Sequence, residues 1–94
     1  MSILFLPVTL TVYEARATQL LLNLALKREP EGGVTVNASQ LQQFDSAALA
    51  VLLGCRRQAL DLRRSFAVLS MPPKLLALAT LYGVSALLVE SGDT

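Results

Sequence analysis

Phe44-Asp45-Ser46-Ala47-Ala48-Leu49-Ala50-Val51-Leu52-Leu53-Gly54 is the stretch on which the fold turns. A polar Asp-Ser pair stands directly before an unbroken apolar run that keeps helical spacing. Asp is among the best N-cap residues and Ser is accommodated just inside the first turn, so the pair marks a helix start. The unpaired N–H groups and dipole of such a start favour an anion or a partner's acceptor. The helix is expected from about Ser46 to Arg63, with Ala48, Leu52, Cys55, Ala59 and Leu62 on one stripe, its core face. Opposite them lie Ser46, Ala50, Gly54, Arg57 and Asp61, with Ala47 and Leu53 on the flanks.

Upstream, Ile3-Leu4-Phe5-Leu6 is a short apolar run ended by Pro7, which suits an edge strand. Thr11-Val12-Tyr13-Glu14 has the form of a capping box and opens a helix expected to reach about Arg28. Ala17, Leu20, Leu21 and Leu24 share one face of that helix and are read as its core side. Glu29-Pro30-Glu31-Gly32-Gly33 is a solvated loop, and Val34-Thr35-Val36 alternates as a strand. Downstream, Phe66-Ala67-Val68-Leu69 reads as a buried strand. Pro72 and Pro73 open a further helix with Leu75, Leu78, Ala79 and Tyr82 inward and Gly83 as a left-handed cap. Val84 to Val89 is expected to hold a last short strand or turn, and Glu90 to Thr94 a loose tail.

Ninety-four residues suit one domain, and 53% hydrophobic content fills a core with apolar surface to spare for a partner. Seven acidic and eight basic side chains are too balanced for a nucleic-acid binder. Cys55 is the only cysteine and lies on the core stripe, so an inert thiol is expected. There is no histidine, the carboxylates show no metal-ligand spacing, and Gly32-Gly33 lacks the context of a phosphate loop. No catalytic residue, metal or cofactor is therefore expected, and the chain is not read as an enzyme. Leu75 to Val89 is shorter than the ~20 residues a bilayer core requires. Met1 to Leu6 lacks the charged start of a signal peptide, so a cytoplasmic protein without membrane insertion is expected. Arg56-Arg57 and Arg63-Arg64 read as a solvated helix face.

The pattern also resembles the STAS domains, small bacterial regulatory modules. The resemblance is carried by Asp45-Ser46, the Leu49, Leu52 and Leu53 run, the strand Phe66–Leu69 and the helix ending Leu78-Ala79-Thr80-Leu81-Tyr82-Gly83-Val84. Strands alternating with helices argue for one α/β sandwich domain over residues 1–94. The resemblance, over about residues 34–88, implies the same: a small, mostly parallel four-stranded sheet covered by about three to four helices. Anti-sigma-factor antagonists of this family are similar to Asp-Ser-Ser-Gly-Leu, with the second serine phosphorylated. Ala47 stands in that place here, which leaves Ser46 as the candidate phosphoacceptor. The MlaB-like subunit of phospholipid-transport ABC systems is similar to Asp-Thr-small-Gly-Leu, which Asp45-Ser46-Ala47-Ala48-Leu49 fits better, with Ala48 replacing the glycine.

That branch implies an adaptor bound to the transporter's ATPase subunit, peripheral to the inner membrane through its partner. The alternative is a partner-switching regulator that meets an anti-sigma factor or serine kinase. Asp45, Ser46, Ala47, Ala50, Leu53, Gly54 and Arg57 are the candidate partner-binding residues. Gly54 supports an approach by some other element, because glycine inside an exposed helix costs ~1 kcal/mol relative to alanine. The competing reading is that Asp45 and Ser46 only cap the helix.

Overall fold

The computed structural model describes residues 2–28 and 32–88. Three strands, β1 (Ser2–Phe5), β3 (Val34–Asn37) and β5 (Phe66–Leu69), form a parallel sheet in the order β1-β3-β5. Leu4, Val36 and Val68 stand level across it, and Leu6 N–H and Ala38 N–H extend the ladders to Asn37 O and Leu69 O at 3.0 and 2.9 Å. A second parallel pair, β2 (Thr9–Leu10) and β4 (Gln43–Phe44), sits apart from this sheet. The expected single four-stranded sheet is thus divided into a three-stranded sheet and a two-residue ladder. The helices are α1 (Val12–Arg28), α2 (Ala47–Asp61), α3 (Pro73–Leu81) and α4 (Ser85–Leu88).

Burial alternates along β3, with Val34 and Val36 inward, as one covered sheet face requires. The opposite face leaves Ile3, Phe5 and Leu69 exposed. In Phe66–Leu69, at the sheet edge, Ala67 and Val68 are buried, Phe66 is half-buried and Leu69 is exposed. The expected core stripe of α2 is buried at Ala48, Leu52, Cys55 and Ala59, while Leu62 at the helix end is half-buried. In α3, Leu75 and Ala79 are buried, but Tyr82 is exposed because it is already the residue at which the helix stops. Gly83 takes φ +74° there, and Gly83 and Val84 N–H return to Thr80 O and Ala79 O at 3.0 and 2.9 Å. This is the expected left-handed cap. The segment after it forms the short helix α4, not a strand, and buries Leu88. Residues 29–31 of the expected loop, Val89 and the tail from Glu90 lie outside the described residues.

The core side of α1 is the main correction. Thr18, Leu22 and Leu26 face inward, whereas Ala17, Leu20, Leu21 and Leu24 are exposed. Both faces of α1 are apolar, so counting leucines selects the wrong one. The face with Ala15, Thr18, Leu22 and Leu26 is the one that packs inward, and Gln19 on it meets α2. The point of approach is Gly54, where an added Cβ would run into the Gln19 side-chain amide, 2.9 Å from its Cδ.

A second correction concerns Arg64, which is 4% exposed. Arg63 adopts φ 58°, and Arg63 and Arg64 N–H bond to Leu60 O and Ala59 O, both at 2.9 Å. The turn sends the Arg64 side chain inward. Its Nε donates to Gly32 O at 2.7 Å and its Nη1 to Leu26 O at 2.9 Å, so it caps the carbonyl end of α1. A charged donor to a buried carbonyl contributes about 1.5–3 kcal/mol. Replacing Arg64 by Ala is expected to destabilise the protein by about 2–3 kcal/mol in urea unfolding. Arg64→Lys, which lacks the planar fork, is expected to recover only part of that loss.

Candidate functional site

α1 and α2 begin side by side, and the sequence before each supplies its cap. Thr11 N–H and Thr11 Oγ1 both donate to Glu14 Oε1, at 2.8 and 2.6 Å. The hydroxyl oxygen in turn accepts Tyr13 N–H at 3.2 Å, so the capping box forms one residue earlier than its usual N3 partner. The Thr11 hydroxyl, and then its N–H, hold the Glu14 carboxyl below its ordinary 4.5. A depressed carboxyl stabilises the fold above that ordinary value, and the contribution is lost as pH falls through the depressed one.

Asp45 does more than cap α2. Its Oδ1 accepts Ala47 N–H at 2.8 Å, and its Oδ2 accepts Val12 N–H, the first residue of α1, at 3.2 Å. Both oxygens are thereby engaged on backbone donors, and Asp45 positions the site from beneath. Ser46 already has helical angles (φ −63°, ψ −15°), and its exposed hydroxyl makes no capping bond. Ala50, one turn on, is exposed, as are Arg57 and Asp61, while Ala47 and Leu53 are half-buried flanks.

Gly54 does not join this exposed strip. It is half-buried and turned to Gln19, so the element whose approach it permits is α1 of the same chain. The structure thus brings Ser46, Ala50 and Arg57 to one surface, with Asp45 behind it.

Sequence reasoning missed the part of this region that α3 and the residue before α1 supply. An open groove of about 690 Å³ runs beside Phe44 and is lined by Thr11, Gln42, Gln43, Lys74 and Leu78, among others. One wall is β4, paired with β2, and two-residue strands are too short to show a period of two. Gln42 and Gln43 N–H both bond to Val8 O, at 2.8 and 3.0 Å, which fixes that wall.

The chemistry available here is recognition: a free hydroxyl, a small-residue patch, one guanidinium and an apolar groove. Cys55 lies beneath in the core, and burial pushes its thiol up to about 11, with the charge of Arg64 pulling weakly the other way. The neutral thiol it retains favours the fold below about 9, an advantage lost as pH rises toward 11. Among the described residues no group of three or more His, Cys, Asp or Glu could hold a metal. Among them, too, no helix is long and apolar enough to cross a membrane.

The family described as "Mlab, STAS domain" matches residues 9–90, which takes in both helix starts, the groove and α3. The chain belongs to the MlaB-type STAS domain family. The solved structure of an anti-sigma-factor antagonist (STAS) domain protein from Planctomyces limnophilus is similar in fold. Its TM-score is 0.72 over 97% of this chain and 84% of that one, at 16% sequence identity. No match was found among curated proteins. The mixed α/β architecture with a small parallel sheet is thus that of a STAS domain, whose general role is regulation or adaptation through contact with another protein.

In this STAS domain the Asp45 clamp has a measurable value. Removing an N-cap carboxylate typically costs about 0.5–2 kcal/mol. Asp45→Ala, which releases two N–H groups, is expected near the upper end of that range by thermal or urea unfolding. Asp45→Asn keeps only one accepting oxygen and is expected to fall between it and the wild type.

Proposed function

We infer that this STAS domain is a non-catalytic adaptor that binds the ATPase subunit of an ABC-type phospholipid (lipid-asymmetry) transporter. The observation that carries the reading is the match to the MlaB branch together with Ala47, where a switching antagonist would have its second hydroxyl. The docking surface is formed by the exposed Ser46, Ala50 and Arg57, flanked by Ala47 and Leu53 and held in place by Asp45. Small residues one turn apart let a partner backbone approach, and Arg57 supplies a charge-assisted bond at the edge. Gly54 contributes indirectly, by allowing α1 to lie against α2. On this reading the protein sits at the cytoplasmic face of the inner membrane through its partner.

Ala50→Gln tests the surface. The side chain is exposed, so unfolding free energy is expected to stay within about 0.5 kcal/mol of wild type. Affinity for the purified ATPase subunit of the same organism is expected to drop by about 2 kcal/mol, roughly 30-fold, in calorimetric titration. Unchanged affinity in a folded variant would move the interface elsewhere. Gly54→Gln is unsuited to the same purpose, because its side chain would displace Gln19.

The partner-switching alternative draws on the exposed Ser46 hydroxyl, which a kinase could reach. On the adaptor reading, protein purified from its native host is expected to show one unmodified intact mass. A substantial phosphorylated fraction mapped to Ser46 would support the switch.

A further inference from the structure

The outer face of α1 is an exposed apolar face for which the proposed site has no use. Tyr13, Leu20, Leu21 and Leu24 are 90%, 57%, 68% and 60% exposed, and with Ala17 they recur at intervals of three and four along the helix. The stripe therefore forms one ridge about three turns long. Its exposed charges are all basic among the described residues of α1: Arg16 and Lys27 on one flank, Arg28 on the other. The only carboxylate on the helix, Glu14, is engaged by Thr11.

The ridge starts beside the candidate site, because Val12 N–H is bonded to Asp45 and Tyr13 follows it. On α2 the exposed charged residues are Arg57, within the proposed site, and Asp61 in the last turn. A second copy of the chain suits this face poorly. Two α1 ridges packed antiparallel about a two-fold axis set Arg16 of one beside Lys27 of the other, twice over, and like charges in such pairs repel.

We propose that the outer face of α1 is the second half of the partner-docking surface and takes an apolar protein face rimmed with Asp and Glu. The occupant is the same ATPase subunit, so the inference rests on the adaptor reading. Tyr13, Leu20 and Leu24 supply the buried centre, and Arg16, Lys27, Arg28 and Arg57 pair with acidic groups at the rim. Aromatic residues and arginine are the types that most often dominate such contacts.

The experiment titrates the purified ATPase subunit of the same organism into the wild-type domain and into Leu24→Glu, Lys27→Glu and Ala50→Gln, with a thermal melt of each. All three changes are on exposed positions and compatible with a helix, so the melts are expected to coincide with wild type. Leu24→Glu and Lys27→Glu are each expected to weaken binding at least tenfold, and wild-type affinity is expected to fall as salt is raised. Affinity within twofold of wild type in both α1 variants, with Ala50→Gln impaired, would overturn the extension and leave the adaptor reading standing. No binding by the wild-type domain would remove both. A dimer of the free domain that Leu24→Glu dissolves in light scattering would give the ridge to a second copy and overturn the proposal. Flotation with phosphatidylglycerol vesicles that Leu24→Glu abolishes would overturn it in favour of a lipid surface.

Discussion

Asp45 and Arg64 stand at the two ends of α2, and each reaches across to an end of α1. The carboxylate accepts the Val12 N–H where α1 begins, and the guanidinium donates to a carbonyl in its last turn. Each charge thus meets the end of the α1 dipole that attracts it. Between them, Gly54 leaves room for the side-chain amide of Gln19 on α1. The pairing of α1 with α2 is therefore tied at both ends by residues flanking α2. The sheet, the core beneath α2 and the exposed surface around Ser46 all take their positions from that pairing.

The residues around 44–54 carried much of the fold. A cap followed by a helical apolar period gives α2 and its core stripe, and the β-branched alternation of Val34-Thr35-Val36 gives the central strand. Gly83 gave the end of α3 because few other residues tolerate its backbone angles. The inward face of α1 was not legible, since Ala17, Leu20, Leu21 and Leu24 are as apolar as the face that packs. What distinguishes them is which face meets α2 and the sheet, a property of the elements together. Arg64 was misread for a similar reason: a residue pair that looks like a charged helix face was split by a left-handed turn at Arg63.

For the candidate site, residue types indicated that Asp45 and Ser46 open a helix but not how their roles divide. Asp45 works inward on two backbones, while Ser46 is left with an exposed hydroxyl. The link to Val12 spans 33 positions and follows from no local pattern. The groove beside Phe44 was hidden likewise, because its walls come from three separate stretches of chain.

Cys55 gives this arrangement a built-in clock. Its sulfur is buried under α2, and its raised pKa keeps it protonated at neutral pH. A thiol reagent can reach it as a thiolate only when α2 lifts away from the sheet or the chain unfolds. The rate at which this one native cysteine is alkylated therefore counts openings of the α2 contact with no introduced label. Whatever presses on the outside of the helix pair would be registered there as a slower reaction at a sulfur it never touches.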